Sequence, residues 1–184
     1  EEAKESLEVI NRHAKRMTNL INQIMELSKL ERQKEIEKEK INLSNIVLQL
    51  LEDYKPLLES KNLNLVYNVE KDIRIQGNKI MLERVFLNIL MNAVKFTKTN
   101  IEVSLTRDDK TAVLKIRDDG IGISEENKKF IWERFYQVND SRNKEENKGS
   151  GLGLSMVKKI VDLHSATIDL ESEIDQGTCF TIKF

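Results

Sequence analysis

One cysteine, one proline and seven glycines are all that this 184-residue chain holds of the residue types that cross-link, stiffen or loosen a backbone. The lone Cys179 excludes an internal disulfide, and the expectation is a reducing, cytoplasmic compartment. An excess of charge is also missing, because 30 Lys and Arg stand against 31 Asp and Glu for a net charge of −1. That balance gives no basic surface of the kind nucleic acid demands and no polybasic segment for an anionic membrane. Apolar runs such as 46–51, with Gln49 inside it, fall far short of the roughly 20 residues of a membrane span. No signal peptide is visible, and the chain opens on Glu1-Glu2 directly into helical periodicity. The expectation is a segment of a longer protein, sized for one full domain with something smaller attached.

Residues 1–38 hold neither glycine nor proline, so nothing local breaks a helix there. Leu7, Ile10, Ala14, Met17, Ile21 and Ile24 alternate by three and four, the spacing of a heptad seam. Leu20 and Leu27 widen that seam into a stripe suited to a helix bundle, and a lone helix with such a face needs a partner. Residues 31–40 are almost all charged and read as a solvated connector.

At Ile41 the composition changes. Ser44 is the expected N-cap of a helix with Ile46, Val47, Leu50, Leu51 and Tyr54 at helical spacing, and Pro56 is expected to kink or end it. Strands are expected at 63–69 and 73–76, then a helix over 78–96 with Ile80, Val85, Ile89 and Leu90 among its apolar positions. Strands 101–107 and 112–117 flank the turn pair Asp108-Asp109. A helix over 152–164 and strands 167–171 and 178–184 close the chain. Helices on one side of a mixed, largely antiparallel sheet make an α+β layer arrangement.

Four stretches carry chemistry. Asn88, Asn92 and Lys95 lie at i, i+4 and i+7, hence on one helical face. Amide oxygens suit Mg²⁺ and an ammonium suits phosphate, although a solvated face would carry the same residues. Asp118-Asp119-Gly120-Ile121-Gly122-Ile123 follows a strand, which lets backbone approach a flat ligand while the acid accepts a hydrogen bond. An ordinary turn would read the same way. Residues 130–136 (FIWERFY) precede ten residues, 139–148, without an apolar side chain: a lid ordered by ligand, or a plain surface loop. Gly149-Ser150-Gly151-Leu152-Gly153-Leu154 opens a helix and leaves N–H groups free for phosphate oxygens, but it is neither a P-loop nor a Rossmann fingerprint.

Taken in order, the four resemble the N box, first G box, F box and second G box of sensor histidine kinases, and Gly177-Thr178-Cys179-Phe180 is similar to the closing segment of the same ATP-binding domain. The resemblance covers 41–184, while 1–40 looks like the second helix of the dimerisation domain and its connector. It implies the Bergerat fold, a two-layer α/β sandwich shared with gyrase, the mismatch-repair ATPases and the large heat-shock chaperones, with ATP and Mg²⁺ as ligands. By that resemblance Asp118 would hold the adenine amino group, with Gly120, Ile121, Gly122 and Ile123 shaping the pocket floor beside Thr178. Asn92 and Asn88 would bind Mg²⁺, Lys95 would meet phosphate, and Phe96 would pack near the base. Phe135 and the loop Gly149, Ser150, Gly151, Leu152, Gly153 and Leu154 would form the lid. Three positions depart from the family pattern. Gln137 stands where many relatives place an arginine, Ser165-Ala166 replaces a common Gly-Gly, and Asn78 replaces a frequent aspartate.

The resemblance implies transfer of the γ-phosphate to a histidine with an adjacent acid. His13 has no neighbouring carboxylate and reads as a plain helix residue; His164, at a helix C-terminus where a cation is favourable, reads as structural. The phosphoacceptor is therefore expected outside this chain. Implied partners are a response regulator receiver domain and a second copy of the full-length kinase, with no nucleic acid and no membrane contact from these residues. A hydrolase of the gyrase or chaperone type is the alternative, but such relatives place a glutamate where Asn88 stands, and an amide cannot take a proton from water. A nucleotide-binding scaffold without catalysis is the third reading.

Overall fold

A computed structural model describes residues 2–138 and 149–184, with the backbone alone at 2–6, 8, 9, 12 and 16. The polar stretch 139–148, read above as lid or surface loop, lies outside the described residues. The chain divides into two compact units, Glu1–Gln33 and Lys34–Phe184.

The first unit is helix α1 (Glu2–Arg32), which ends with Lys29 and Arg32 in its last turn, where cations suit the helix dipole. Its seam residues Leu7, Ile10, Met17, Ile21 and Ile24 are exposed.

In the second unit β1 (Glu39–Asn42) pairs antiparallel with β3 (Arg74–Gly77) as a small ribbon. This corrects the reading of 31–40 as connector throughout, because Glu39 and Lys40 are ladder residues opposite Gly77 and Gln76 with their side chains in water. Helix α2 (Leu43–Ser60) follows, then β2 (Asn64–Val69), α3 (Lys79–Phe96), β4 (Asn100–Asp108) and β5 (Thr111–Asp118). The single turn α4 (Glu125–Lys128), helix α5 (Gly153–Leu163), β6 (Thr167–Glu173) and β7 (Gly177–Lys183) complete the order. The main sheet runs β2-β4-β5-β7-β6, with β2 and β4 parallel and the other neighbours antiparallel. Ile101, Val103 and Leu105 turn one face of β4 inward, as period-two alternation requires of a sheet covered on one side. Helix α2 packs on β2, α3 on β5 and α5 on β6, with α3 between α2 and α5. Phe86, Leu90, Ile101, Leu105, Val157, Ile160 and Ile182 are buried at this junction. Each contributes about 1.5–3 kcal/mol of hydrophobic stabilisation. The result is the two-layer α+β arrangement expected. Among the described residues no helix is long and apolar enough to cross a membrane.

Local expectations are corrected or refined at four points. Asn42, not Ser44, caps α2, its side chain accepting from the Asn45 N–H at 3.1 Å. Ser44 is buried and instead ties α2 to the segment before β3, donating to the Glu70 carbonyl and accepting from the Ile73 N–H at 3.0 Å. Pro56 neither ends nor interrupts α2. Glu52, whose carbonyl loses its helical partner at Pro56, is exposed, so water can serve that oxygen. Ile80 is 65% exposed, because the inward face of α3 is set by Leu82, Val85, Phe86, Ile89, Leu90 and Ala93. His164 is not a solvated cation. It is buried, its Nε2 accepts the Asn78 N–H at 3.0 Å, and its Nδ1 therefore donates to the Ile160 carbonyl at 2.8 Å. Burial first, and Lys38 besides, lower its pKa, so the neutral ring fastens the end of α5 to the start of α3.

Two departures from the family pattern also find physical roles. Asn78 caps α3, accepting from the Met81 N–H at 3.2 Å. Ser165 sits at φ 57, a left-handed conformation that favours glycine.

Candidate functional site

Strand β5 delivers Asp118 to the end of the sheet, where Ile101 of β4 and Thr178 of β7 flank it in register. The carboxylate is 6% exposed. Burial pushes its pKa up to about 6 against the backbone N–H groups of Gly120 and Thr178, which favour the ionised form, and Asp119 adds a smaller upward push. Gly120 donates to Oδ1 at 2.8 Å. A buried carboxylate with its charge only partly compensated is an acceptor seeking a further donor.

The glycines after Asp118 are dictated by close approach. A Cβ at Gly120 would lie 2.1 Å from the Phe96 carbonyl oxygen, and one at Gly122, where φ is 68, would lie 1.9 Å from the Glu173 oxygen. Gly177, at φ 87, comes as close to the Asp118 carbonyl. These contacts lay three segments side by side: the end of α3, the 118–123 loop and the β6–β7 turn. Phe96 accepts from the Ile121 N–H at 3.4 Å, and Ile121 accepts from the Asp175 N–H at 2.8 Å. Ser172 Oγ accepts from the Ile123 N–H at 2.8 Å, donates to the Gly177 carbonyl at 2.8 Å and lies 3.0 Å from Thr178 Oγ1.

Helix α3 presents the amides and the ammonium. Asn88 Nδ2 donates to the Arg84 carbonyl at 2.9 Å, which leaves Oδ1 as its free acceptor. That oxygen lies 2.7 Å from where a Cβ of Gly153 would stand, so the amide abuts the N-terminus of α5. Asn92 is half-buried and makes no side-chain hydrogen bond to another described residue. Lys95 Nζ sits 4.6 Å from the centre of the Phe96 ring and 3.4 Å from a Cβ built on Gly149. Its pKa is lowered by burial. The N box therefore touches the second glycine stretch at both ends and the first at Phe96. The contacts with the second stretch join residues more than fifty positions apart, and a solvated helix face does not require them.

The glycine loop is held from the F box side. Phe135, exposed and at φ 61, donates its N–H to the Gly151 carbonyl at 2.9 Å. Gln137 Nε2 donates to the Gly149 carbonyl at 2.8 Å, so the residue standing in the arginine's place binds the loop itself. Ser150 Oγ accepts from the Leu152 N–H at 3.2 Å. Leu152 is in the core, where only its backbone could reach a ligand, and Leu154 is half-buried.

No role was read in the sequence for Asp119, Ser172 or the His164–Asn78 pair. Asp119 sits beside a Thr97-Lys98-Thr99-Asn100 segment dense in donors, a signal visible only once the fold places the two together. Among the described residues no group of three or more His, Cys, Asp or Glu could hold a metal. The donor set of two amides and an ammonium suits a cation that arrives with phosphate oxygens and keeps water, as Mg²⁺ does.

A profile described as "Histidine kinase-, DNA gyrase B-, and HSP90-like ATPase" matches residues 77–184. The chain is 37% identical over 187 residues to "Histidine kinase P4" of Formosa agariphila, covering 95% of the chain and 13% of that protein. It is 30% identical to "Sensor protein SrrB" of Staphylococcus aureus strain N315, covering all of the chain and 32% of that protein. It thus spans a third or less of these curated relatives. In structure it is similar to full-length ShkA in complex with AMPPNP, with a TM-score of 0.80 at 22% identity, over 91% of this chain and 35% of that one.

Proposed function

This chain belongs to the family of histidine kinase-, DNA gyrase B- and HSP90-like ATPases, and from that premise we propose that it binds Mg-ATP and passes the γ-phosphate to a histidine on a segment outside these residues, for relay to an aspartate of a response regulator. The observation that carries the proposal is the assembly of Asp118, the Asn88–Lys95 face and the 149–153 loop around one site. Asp118, ionised above its pKa of about 6, accepts from the adenine amino group, while the 118–123 loop, held against Phe96 and Glu173 by the close approach of Gly120 and Gly122, forms the floor under the ring. Lys95 meets phosphate, and the N–H groups at the start of α5 add the field of a helix N-terminus. Asn88 Oδ1 and Asn92 supply oxygens to Mg²⁺, whose chemistry is to neutralise charge developing on the phosphoryl oxygens. Asn88 also favours transfer over hydrolysis, because an amide cannot take a proton from water. A relative named as a histidine kinase, another named as a sensor protein and a neighbour solved with AMPPNP support the same reading.

Neither histidine of this chain is a nucleophile in waiting. His164 is buried with both ring nitrogens engaged, and His13 is an exposed residue of α1. Incubation with radiolabelled ATP and Mg²⁺ should leave the chain unlabelled and should label a supplied segment bearing the acceptor histidine of its own parent protein. Transfer should be slow, since adding the acceptor separately forfeits the roughly millimolar effective concentration of a covalent link. Label on the chain alone that is lost in His13→Gln would make His13 the acceptor and overturn this assignment.

A further inference from the structure

The loop that follows α3 brings no apolar side chain to pack. Residues Lys98, Thr99 and Asn100 are exposed, and all four of Thr97-Lys98-Thr99-Asn100 are polar. Most of the hydrogen bonds that order it converge on Asp119, the residue that follows β5. Asp119 Oδ1 accepts from Thr97 Oγ1 at 2.6 Å and from the N–H groups of Lys98, Thr99 and Asn100 at 3.0, 2.9 and 3.0 Å. Asp119 Oδ2 accepts from Thr99 Oγ1 and from Asn100 Nδ2, each at 2.7 Å. Other bonds also reach the loop: Lys98 Nζ donates to the Asp175 carbonyl at 3.0 Å, the Asn64 N–H to the Thr99 carbonyl at 2.8 Å, Asn64 Nδ2 to Asn100 Oδ1 at 3.0 Å and the Asp119 N–H to the Asn100 carbonyl at 3.3 Å. Charge-assisted bonds are short and directional, and six converging on one carboxylate fix its partners' positions closely.

What they fix is the exit of α3. Lys95 and Phe96 are the last residues of that helix, and Asp119 is the residue after Asp118. Asp118 is positioned independently, between β4 and β7. We infer that Asp119 is a positioning residue that sets the span between the base-binding end of the site at Asp118 and the phosphate-binding end at Lys95 and Asn92, by clamping the loop after α3 to the strand end that carries Asp118. The inference rests on the nucleotide reading above. A ligand that touches both ends depends on the span, whereas one that touches only the base end does not. Misplacement of about 1 Å at a reacting site is worth up to about a hundredfold, so loosening a clamp is expected to cost about tenfold.

The test compares ATP with adenosine, both titrated calorimetrically with Mg²⁺ present, against the wild-type chain, Asp119→Ala and Asp119→Asn. In Asp119→Ala, ATP affinity falls about tenfold while adenosine affinity stays within about twofold. The Lys98, Thr99 and Asn100 amides exchange faster before any nucleotide is added. Asp119→Asn falls between, because its amide oxygen can still accept the backbone donors. Thr99→Val, which removes a single donor, shows the same bias toward ATP loss to a lesser degree and serves if Asp119→Ala does not fold. Equal losses for the two ligands mark a merely structural role and overturn the inference, as does undiminished ATP affinity. A wild-type chain with no affinity for ATP overturns the nucleotide reading and this inference together. Wild-type binding that Asp118→Ala abolishes, with no ATP bias in Asp119→Ala, overturns this inference alone.

Discussion

Replacing Asp118 by asparagine keeps the side chain's shape and removes a charge buried at the end of β5. Burial raises its pKa from 3.8 to about 6 in the fold, so the folded protein holds a proton there that the unfolded chain releases. The shift of about two units corresponds to about 3 kcal/mol of destabilisation at neutral pH. The sign follows from proton binding: the penalty is complete above about pH 6, fades as pH falls toward 3.8, and is lost below it, where both states are protonated. Asparagine escapes the penalty, but its amide cannot accept from both the Gly120 and Thr178 N–H groups as the carboxylate does, a loss of about 1–3 kcal/mol. The two effects nearly cancel at neutral pH, so the pH dependence decides the matter. Between about pH 7 and about pH 4.5 the stability of Asp118→Asn relative to wild type should drop by about 2 kcal/mol. Urea unfolding at a series of pH values measures this, and the contribution of His164 is common to both proteins and drops out. The same variant should bind ATP one to two decades more weakly, since a charge-assisted hydrogen bond is worth about 1.5–3 kcal/mol. A stability difference that ignores pH would refute the buried-charge argument, and unchanged ATP affinity would refute the adenine assignment.

Three further outcomes are expected. Asn92→Ala should weaken Mg-ATP more than metal-free ATP, because the lost group supplies an oxygen to the metal; equal losses would move that role to Asn88. Ser165→Gly should raise stability by about 0.5–1 kcal/mol, as relief of left-handed strain outweighs the added freedom of the unfolded chain; a lower denaturation midpoint would show that Ser165 is not strained. His164, whose pKa is lowered in the fold, contributes stability that is complete above its ordinary 6.5 and is lost as pH falls below it. His164→Gln, which can still accept from Asn78, should flatten stability on the acid side of 6.5, and an unaltered slope there would place the titration elsewhere.

Period and punctuation made the elements of this chain legible from residues alone. Helix α3 appeared as spaced apolar residues with Asn88, Asn92 and Lys95 on the other face, because neighbours three and four apart are set by helix geometry and nothing else. The glycine stretches were visible as places of close backbone approach, and the contacts at Gly120, Gly122 and Gly177 are with the chain's own backbone at Phe96, Glu173 and Asp118. Boundaries that depend on competition between nearby groups were not so decided. Asn42 and Ser44 are both capping residues, and Ser44 was drawn away by Glu70 and Ile73, nearly thirty residues on. Ile80 stood with Val85, Ile89 and Leu90 among the apolar positions of α3, and only the packing of α3 over β5 fixed which of them faced inward. The clamp at Asp119 joins residues about twenty apart, and the His164–Asn78 bond joins residues 86 apart. No local rule encodes such pairs. Sequence thus determined which residue types were available and which helical face or strand end carried them. Tertiary structure decided which of them meet, because burial and hydrogen bonding across the fold depend on distances that chain order does not contain.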